Sequence, residues 1–207
     1  MLSRETQLAI ADLACARGIR VLSDEMYRLL EYDQVRRLPP MADLLPSALS
    51  LSGLSKTIGL PGLRMGWLVT QDRELLKRLA TFKDYTTICH NAPSEILAII
   101  GLRNNQALLA SRMAIIQRNL ALLDTFFSRQ SERMSWIRPQ AGPVAFPRLE
   151  TGVPATTFCQ RLLDDSGVLL LPGAVFDYPD DHVRIGFGRA NMPEALERLE
   201  GFVRSGT

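Results

Sequence analysis

Residues 50–67, with the sequence SLSGLSKTIGLPGLRMGW, constrain this chain more than any other stretch. They place Lys56 among small hydroxyl and glycine residues, with Arg64 following in the same loop. A lysine that forms a Schiff base needs close packing and a cationic neighbour, and an arginine on a turn stiffened by proline suits two-pronged phosphate recognition. We expect the glycines to let the backbone approach a bound group closely; they are Gly53, Gly59, Gly62 and Gly66. A solvated lysine and a surface-paired arginine would explain the same residues.

An apolar run upstream, IRVLSDEMY (19–27), ends abruptly in a carboxylate. The pattern predicts a buried strand with Asp24 at its carboxyl end, where open α/β sheets bind their ligands. Tyr27 follows one turn later and can aim its hydroxyl at the same place. The two stretches together therefore predict one site.

This order of motifs, Asp-x-x-Tyr, then Ser-Lys, then Arg, closely resembles the pyridoxal-phosphate enzymes of the aspartate aminotransferase fold (fold type I, class I/II aminotransferases). Two later segments, GVLLLPGAVF (167–176) and HVRIGFG (182–188), resemble the family's small-domain strand-turn and its carboxylate-binding strand. The resemblance covers nearly the whole chain. It implies an α/β fold: an incomplete large domain with a mainly parallel sheet and a long linking helix (residues 1–130), then a small α/β domain (131–207).

The resemblance assigns roles to the first group of residues. Lys56 would carry the cofactor aldehyde as an internal aldimine and later move a proton as a free amine. Asp24 would hold the pyridine nitrogen protonated, and Tyr27 would donate to the phenolate oxygen of the ring. The alternatives are that Asp24 only braces a loop and that Tyr27 is a half-buried tyrosine of the core. Glu25 is expected to be a bystander.

The resemblance also assigns two arginines. Arg64 would bind the cofactor phosphate, with Ser55 as a second donor. Gly53 stands where many family members have a serine. Arg184 would bind the substrate α-carboxylate, since an arginine inside an apolar strand must be paired and its planar fork suits a carboxylate. An internal salt bridge is the alternative.

Family members begin with a segment that this chain lacks, so we expect a fragment or a start codon placed too late. The complete protein would be a homodimer that moves an amino group between an amino acid and a 2-oxo acid. The same residues would serve a β-lyase, a decarboxylating enzyme or a cyclising synthase. A third possibility is a non-catalytic fragment with exposed apolar surface. No motif favours one class of amino-acid side chain.

The bulk properties exclude several other classes. The net charge of +2 on 207 residues gives no reason to expect nucleic-acid binding, and no apolar run is long enough to span a membrane. Three widely separated cysteines predict reduced thiols in the cytoplasm and no metal site; they are Cys15, Cys89 and Cys159.

Helical spacing predicts a helix capped by Ser3 and running to about Arg17, with Leu8, Leu13 and Ala16 facing inward, and a long helix over 105–130. Further helices are expected to follow Asp72, to begin at Ser94, and to cover 155–166 and 192–204. Strands are expected over 65–70, 134–138, 144–147, 168–171 and 183–187.

Overall fold

The structure, a computed structural model, describes residues 1–205. These residues form seven α-helices: α1 (Arg4–Arg17), α2 (Met41–Leu44), α3 (Arg73–Thr86), α4 (Ala92–Arg103), α5 (Asn105–Arg129), α6 (Ala155–Ser166) and α7 (Met192–Arg204). They also form eight strands: β1 (Leu22–Asp24), β2 (Leu49–Gly53), β3 (Gly66–Val69), β4 (Met134–Ser135), β5 (Val144–Ala145), β6 (Arg148–Leu149), β7 (Leu171–Pro172) and β8 (Val183–Gly186). The α/β class and the long helix are confirmed.

The chain divides into two compact units, Met1–Arg112 and Met113–Thr207. The division falls inside α5. The predicted boundary lies just beyond the end of that helix, and it remains a prediction.

The first unit contains a three-stranded sheet in the order β1-β2-β3. The β1–β2 pair is parallel and places Asp24 opposite Leu51. The β2–β3 pair is antiparallel and places Gly53 opposite Gly66. The carboxyl end of β1 and the loop between β2 and β3 therefore lie at the same edge of the sheet.

The predicted end of β1 at Asp24 is confirmed, but its predicted burial is wrong. Leu22 is 63% exposed, and Asp24 is exposed as well. The reason is the position of the strand: β1 lies at the edge of this sheet and pairs only with β2 among the described strands. A run of apolar letters predicts a strand but not what covers it.

The bounds of α1 are confirmed, and its predicted inward face is wrong. The Ser3 hydroxyl accepts the Thr6 amide at 3.0 Å, and Gly18 ends the helix in the left-handed region. The helix packs through the small residues Ala11 and Ala14, which share a cluster with α2. Its larger apolar residues, Leu8 and Leu13, are 41% and 55% exposed, and Ala16 is exposed as well.

The starting points of α3 and α4 are determined by the residues that cap them. Asp72 accepts the Leu75 amide at 2.9 Å, as predicted for the start of α3. The helix predicted from Ser94 instead begins at Ala92, because Asn91 accepts the Ser94 amide at 3.1 Å and caps it earlier. Asparagine is among the best capping residues, and a proline fits the first turn.

The loop between β2 and β3 is anchored to three other parts of the first unit. Leu54 and Ile58 pack against Ala98 of α4. Arg112 of α5 donates to the Gly59 carbonyl at 3.3 Å. Thr57, only 5% exposed, donates its hydroxyl to the Arg28 carbonyl at 2.6 Å, with the Met26 carbonyl at 3.1 Å.

The glycines of this loop serve contacts within the protein. A Cβ on Gly53 would lie 2.9 Å from the Met65 carbonyl oxygen, and one on Gly66 would lie 2.9 Å from the Ser52 carbonyl oxygen. Gly59 has a φ of +74°, and its Cβ would lie 2.6 Å from the Arg112 guanidinium. Close packing inside the unit therefore accounts for glycine at these three positions, and the expected approach to a bound group remains a prediction.

The second unit contains two small antiparallel sheets, β4-β6 and β5-β8-β7. Strand β6 was not predicted. Asn119, a fully buried residue of α5, donates to the Phe187 and Arg189 carbonyls, each at 2.8 Å. Both hydrogens of the Asn119 amide are donated to this segment. The two bonds therefore fix the backbone of the residues that follow β8.

The three cysteines are free thiols. Cys159 is buried, and desolvation, with a smaller contribution from Asp180, raises the pKa of its thiol to about 11. Residues 1–205 contain no group of metal-binding side chains large enough to hold an ion. No described helix combines the length and apolar character needed to cross a bilayer.

The Thr57 contact generates a stability prediction. Thr57→Val keeps the shape of the side chain but leaves a partly buried carbonyl without its donor, which costs about 1–3 kcal/mol of unfolding free energy. Thr57→Ser keeps the hydroxyl and loses one methyl group, which costs about 0.8 kcal/mol. Urea denaturation should therefore rank the chains wild type, serine variant, valine variant. A valine variant as stable as the serine variant would contradict the account of this contact.

Candidate active site

Lys56 and Tyr27 come together at the edge of the first sheet. The Lys56 ammonium nitrogen lies 5.9 Å from the centre of the Tyr27 ring. Both side chains are exposed, and Lys56 makes no ion pair with a described residue. The neighbouring Thr57 explains the arrangement, because its buried hydroxyl ties the loop of Lys56 to the turn that contains Tyr27. The backbone at Lys56 is therefore held by its neighbour, and the exposed amine remains open to a ligand.

Asp24 ends β1 at the same edge. One carboxylate oxygen accepts the Met26 amide at 3.0 Å, which fixes the side chain through a local turn. Within residues 1–205 the carboxylate has no ion-pair partner. Its other oxygen has no hydrogen-bond partner among the described residues and remains available as an acceptor. One oxygen of Asp24 therefore braces the local turn, as the structural alternative expects. The other oxygen makes no such bond.

Arg64 and Ser55 occupy the two sides of the loop. The β2–β3 register continues past Gly53 with a bond from the Leu54 amide to the Met65 carbonyl at 3.1 Å, so both residues lie just beyond the paired strands. The Arg64 backbone is in the left-handed region, at a φ of 54°, and its guanidinium donates to the Pro61 carbonyl at 3.0 Å. It forms no ion pair within the described chain. A strained residue held in this way presents a cation on a stiff turn.

Glu25 has a structural role that the sequence did not reveal. It accepts the Ser50 hydroxyl at 2.6 Å and the Met41 amide at 2.9 Å, while Ser50 accepts the Ala42 amide at 3.1 Å. These bonds tie the end of β1 to β2 and to the start of α2. Glu25 thus supports the strand that ends in Asp24. A charged residue beside a strand end was the only available clue to it.

Thr57 was also missed as a supporting residue. The sequence shows only a hydroxyl beside the lysine in an otherwise apolar loop. Its partners lie about 30 residues away along the chain, at Met26 and Arg28. No local pattern encodes such a pairing.

Arg184 lies in β8 of the second unit. The residues on either side of it, Val183 and Ile185, are buried, while Arg184 itself is half-buried. Its guanidinium carbon lies 5.7 Å from the centre of the Phe176 ring. The alternative of an internal salt bridge finds no support, because Arg184 pairs with no carboxylate in the described part of the chain.

The donor set of the first unit fits pyridoxal phosphate. It offers a primary amine, a phenol, a carboxylate and a guanidinium at one edge of one sheet, and no charged member of the set is neutralised by an ion pair within residues 1–205. Unpaired charges of both signs at one sheet edge are typical of a site for a charged ligand.

Comparisons with known proteins agree with this geometry. The family model for class I and II aminotransferases matches residues 1–199. The chain is 34% identical to the capreomycidine synthase of Streptomyces vinaceus over 91% of its own length and 47% of that protein. It is 29% identical to the probable N-acetyl-LL-diaminopimelate aminotransferase of Bacillus subtilis, over 98% of its own length and 51% of that protein.

Solved structures give the same result. A PLP-dependent aminotransferase from Streptococcus suis superposes with a TM-score of 0.92 at 30% identity, and the match covers 100% of this chain and 54% of that one. The chain thus spans about half the length of the curated relatives it matches. Pyridoxal phosphate is the cofactor of this family. The chain belongs to the class I and II aminotransferases.

Proposed function

We propose that this chain contributes to pyridoxal-phosphate-dependent transamination between an amino acid and a 2-oxo acid, with Lys56 as the cofactor-binding lysine. The observation that carries the proposal is the position of the Lys56 amine beside the Tyr27 ring, at the sheet edge where Asp24 ends its strand. Family membership supports the same assignment.

Each side chain in the first unit has one task in this proposal. Arg64 and Ser55 bind the phosphate, which anchors the cofactor. Asp24 accepts a hydrogen bond from the protonated ring nitrogen, and Tyr27 donates one to the ring oxygen. When bound, the cofactor supplies an electron sink for charge that develops at the substrate α-carbon. The Lys56 amine would move a proton between the substrate α-carbon and the C4′ carbon of the cofactor.

Arg184 binds the substrate α-carboxylate in this proposal. Its half-buried guanidinium has no internal acid partner, so a carboxylate ligand would complete its pairing. The proposal also includes a homodimer in the cytoplasm, in line with the family and with the free thiols. Because the chain spans about half the length of its relatives, we propose that it acts as part of a larger catalytic unit.

A covalent bond between pyridoxal phosphate and Lys56 predicts a visible absorbance band. The purified chain mixed with the cofactor should show a band that survives gel filtration, and Lys56→Ala should abolish it. Lys77→Ala is the matched control, since Lys77 is an exposed lysine of α3, and it should keep the band. A band retained by Lys56→Ala would overturn the assignment. Absence of a band from all three would show that this chain alone does not hold the cofactor.

If Arg64 binds the cofactor phosphate, its replacement should weaken only ligands that carry a phosphate. Arg64→Gln should weaken binding of pyridoxal phosphate about tenfold to a hundredfold, because hydrogen bonds to charged groups contribute about 1.5–3 kcal/mol. Binding of pyridoxal, which lacks the phosphate, should change less than about twofold. Fluorescence titrations of both ligands test this, with Arg73→Gln as the control. An equal loss for the two ligands would contradict a phosphate contact.

The second candidate is a different reaction with the same cofactor, catalysed by a lyase or a synthase. It is favoured by the relative at 34% identity, which is named a synthase. Lysine, aspartate, tyrosine and arginine would serve a lyase or a cyclising synthase equally well. An amino acid labelled with ¹⁵N, supplied with a 2-oxo acid to the catalytic unit, distinguishes them. Transamination predicts that the label appears in a new amino acid. Label retained in a cyclised product or released as ammonia would favour the second candidate.

A further inference from the structure

Four aromatic side chains form one continuous patch in the second unit. The Phe146 ring stacks on His182 with centroids 5.2 Å apart, and it meets Tyr178 at 5.3 Å and Phe176 at 6.2 Å, both edge-on. Tyr178 also meets His182 edge-on at 4.8 Å. Phe146, Phe176 and Tyr178 are 37%, 44% and 49% exposed, so the patch presents its rings to solvent.

The strand register places Arg184 on this patch. Strands β5 and β8 pair Ala145 with Ile185, and an isolated bridge pairs Arg148 with His182 in the same antiparallel register. Phe146 therefore lies opposite Arg184. Because side chains alternate along a strand, the positions of Phe146, His182 and Arg184 share one face.

The charges at the two ends of the patch differ in availability. Asp181, at one end, is paired with His182 at 2.6 Å and with Arg148 at 2.8 Å. Arg184, at the other end, lies 5.7 Å from the Phe176 ring and pairs with no carboxylate in residues 1–205. The acid is thus already neutralised by protein groups, while the guanidinium beside the rings is available to an external anion.

We propose that this patch is a subsite for carboxylates that carry an aromatic group, with the carboxylate on Arg184 and the ring on Phe176 and Phe146. The inference rests on the role proposed for Arg184 and adds the substrate class: aromatic amino acids and their 2-oxo acids. A guanidinium binds a carboxylate through two parallel hydrogen bonds. Exposed ring edges and faces favour an aromatic partner over a short aliphatic one, because aromatic pairs add to the burial of apolar area.

The direct test is to titrate small ligands into the full 207-residue chain without cofactor. Changes in NMR chemical shifts give the dissociation constant of each ligand. The probes are 3-phenylpropanoate, butanoate and 3-phenylpropanamide. The proposal predicts that 3-phenylpropanoate binds about tenfold more tightly than butanoate, which lacks the ring. It also predicts about tenfold tighter binding than 3-phenylpropanamide, which lacks the charge.

Three variants show which residue contacts the carboxylate and which contacts the ring of the ligand. Arg184→Gln should remove the preference for the carboxylate over the amide, and Phe176→Leu should weaken 3-phenylpropanoate while leaving butanoate unchanged. Arg189→Gln is the matched control, an exposed arginine in the segment after β8, and should bind all three probes as wild type does. Equal binding of butanoate and 3-phenylpropanoate to wild type, or unchanged 3-phenylpropanoate binding in Arg184→Gln, would overturn the proposal.

These titrations are independent of the cofactor test on Lys56. An absorbance band with no aromatic preference would refute the substrate class and leave the proposed function in place. An aromatic preference without a band would support the subsite and count against cofactor binding by this chain.

Discussion

The parallel pairing of β1 with β2 is the constraint on which the first unit depends. It sets Asp24 opposite Leu51 and so brings the end of β1 beside the loop that contains Lys56 and Arg64. Two partly buried polar contacts hold this arrangement. Thr57 joins the lysine loop to the turn after β1, and Glu25 joins the end of β1 to β2 and α2. Because a buried hydrogen-bonding group is costly to leave unpaired, these contacts favour one relative position of the two segments.

The candidate functional groups differ from these supports in burial and in pairing. Thr57 and Ser50 are buried and bonded, whereas Lys56, Asp24 and Arg64 are exposed and make no ion pair within residues 1–205. A rigid support beneath unpaired charges is the arrangement expected of a site that binds a charged ligand. In the second unit Asn119 has a similar supporting position, since it fixes the residues that follow β8.

Much of the fold and the family could be predicted from the sequence because the informative patterns are local. Capping by Ser3 and Asp72, the end of β1 at Asp24 and the length of α5 each depend on neighbouring residues, and all were confirmed. The motif order around Lys56 led to the family, which the comparisons establish. The roles of Asp24, Tyr27, Ser55, Lys56, Arg64 and Arg184 remain predictions, which the geometry and the donor chemistry support.

What could not be predicted depends on contacts between distant segments. The inward face of α1 follows from its contact with α2 through alanines, and the exposure of β1 follows from its position at the sheet edge. The glycines of the lysine loop avoid Met65, Ser52 and Arg112, which no spacing rule identifies. The aromatic patch beside Arg184 comes from residues up to about 40 positions apart, joined by the register of β5 and β8.

Chemical trapping can identify the residue that bonds to the cofactor, which we propose is Lys56. The chain would be incubated with pyridoxal phosphate, reduced with borohydride, digested, and its peptides analysed by mass spectrometry. If Lys56 bonds to the cofactor, the reduced adduct should lie on the peptide containing Lys56, with little or none on those containing Lys77 and Lys83. An adduct spread evenly over the three lysines, or concentrated away from Lys56, would contradict it.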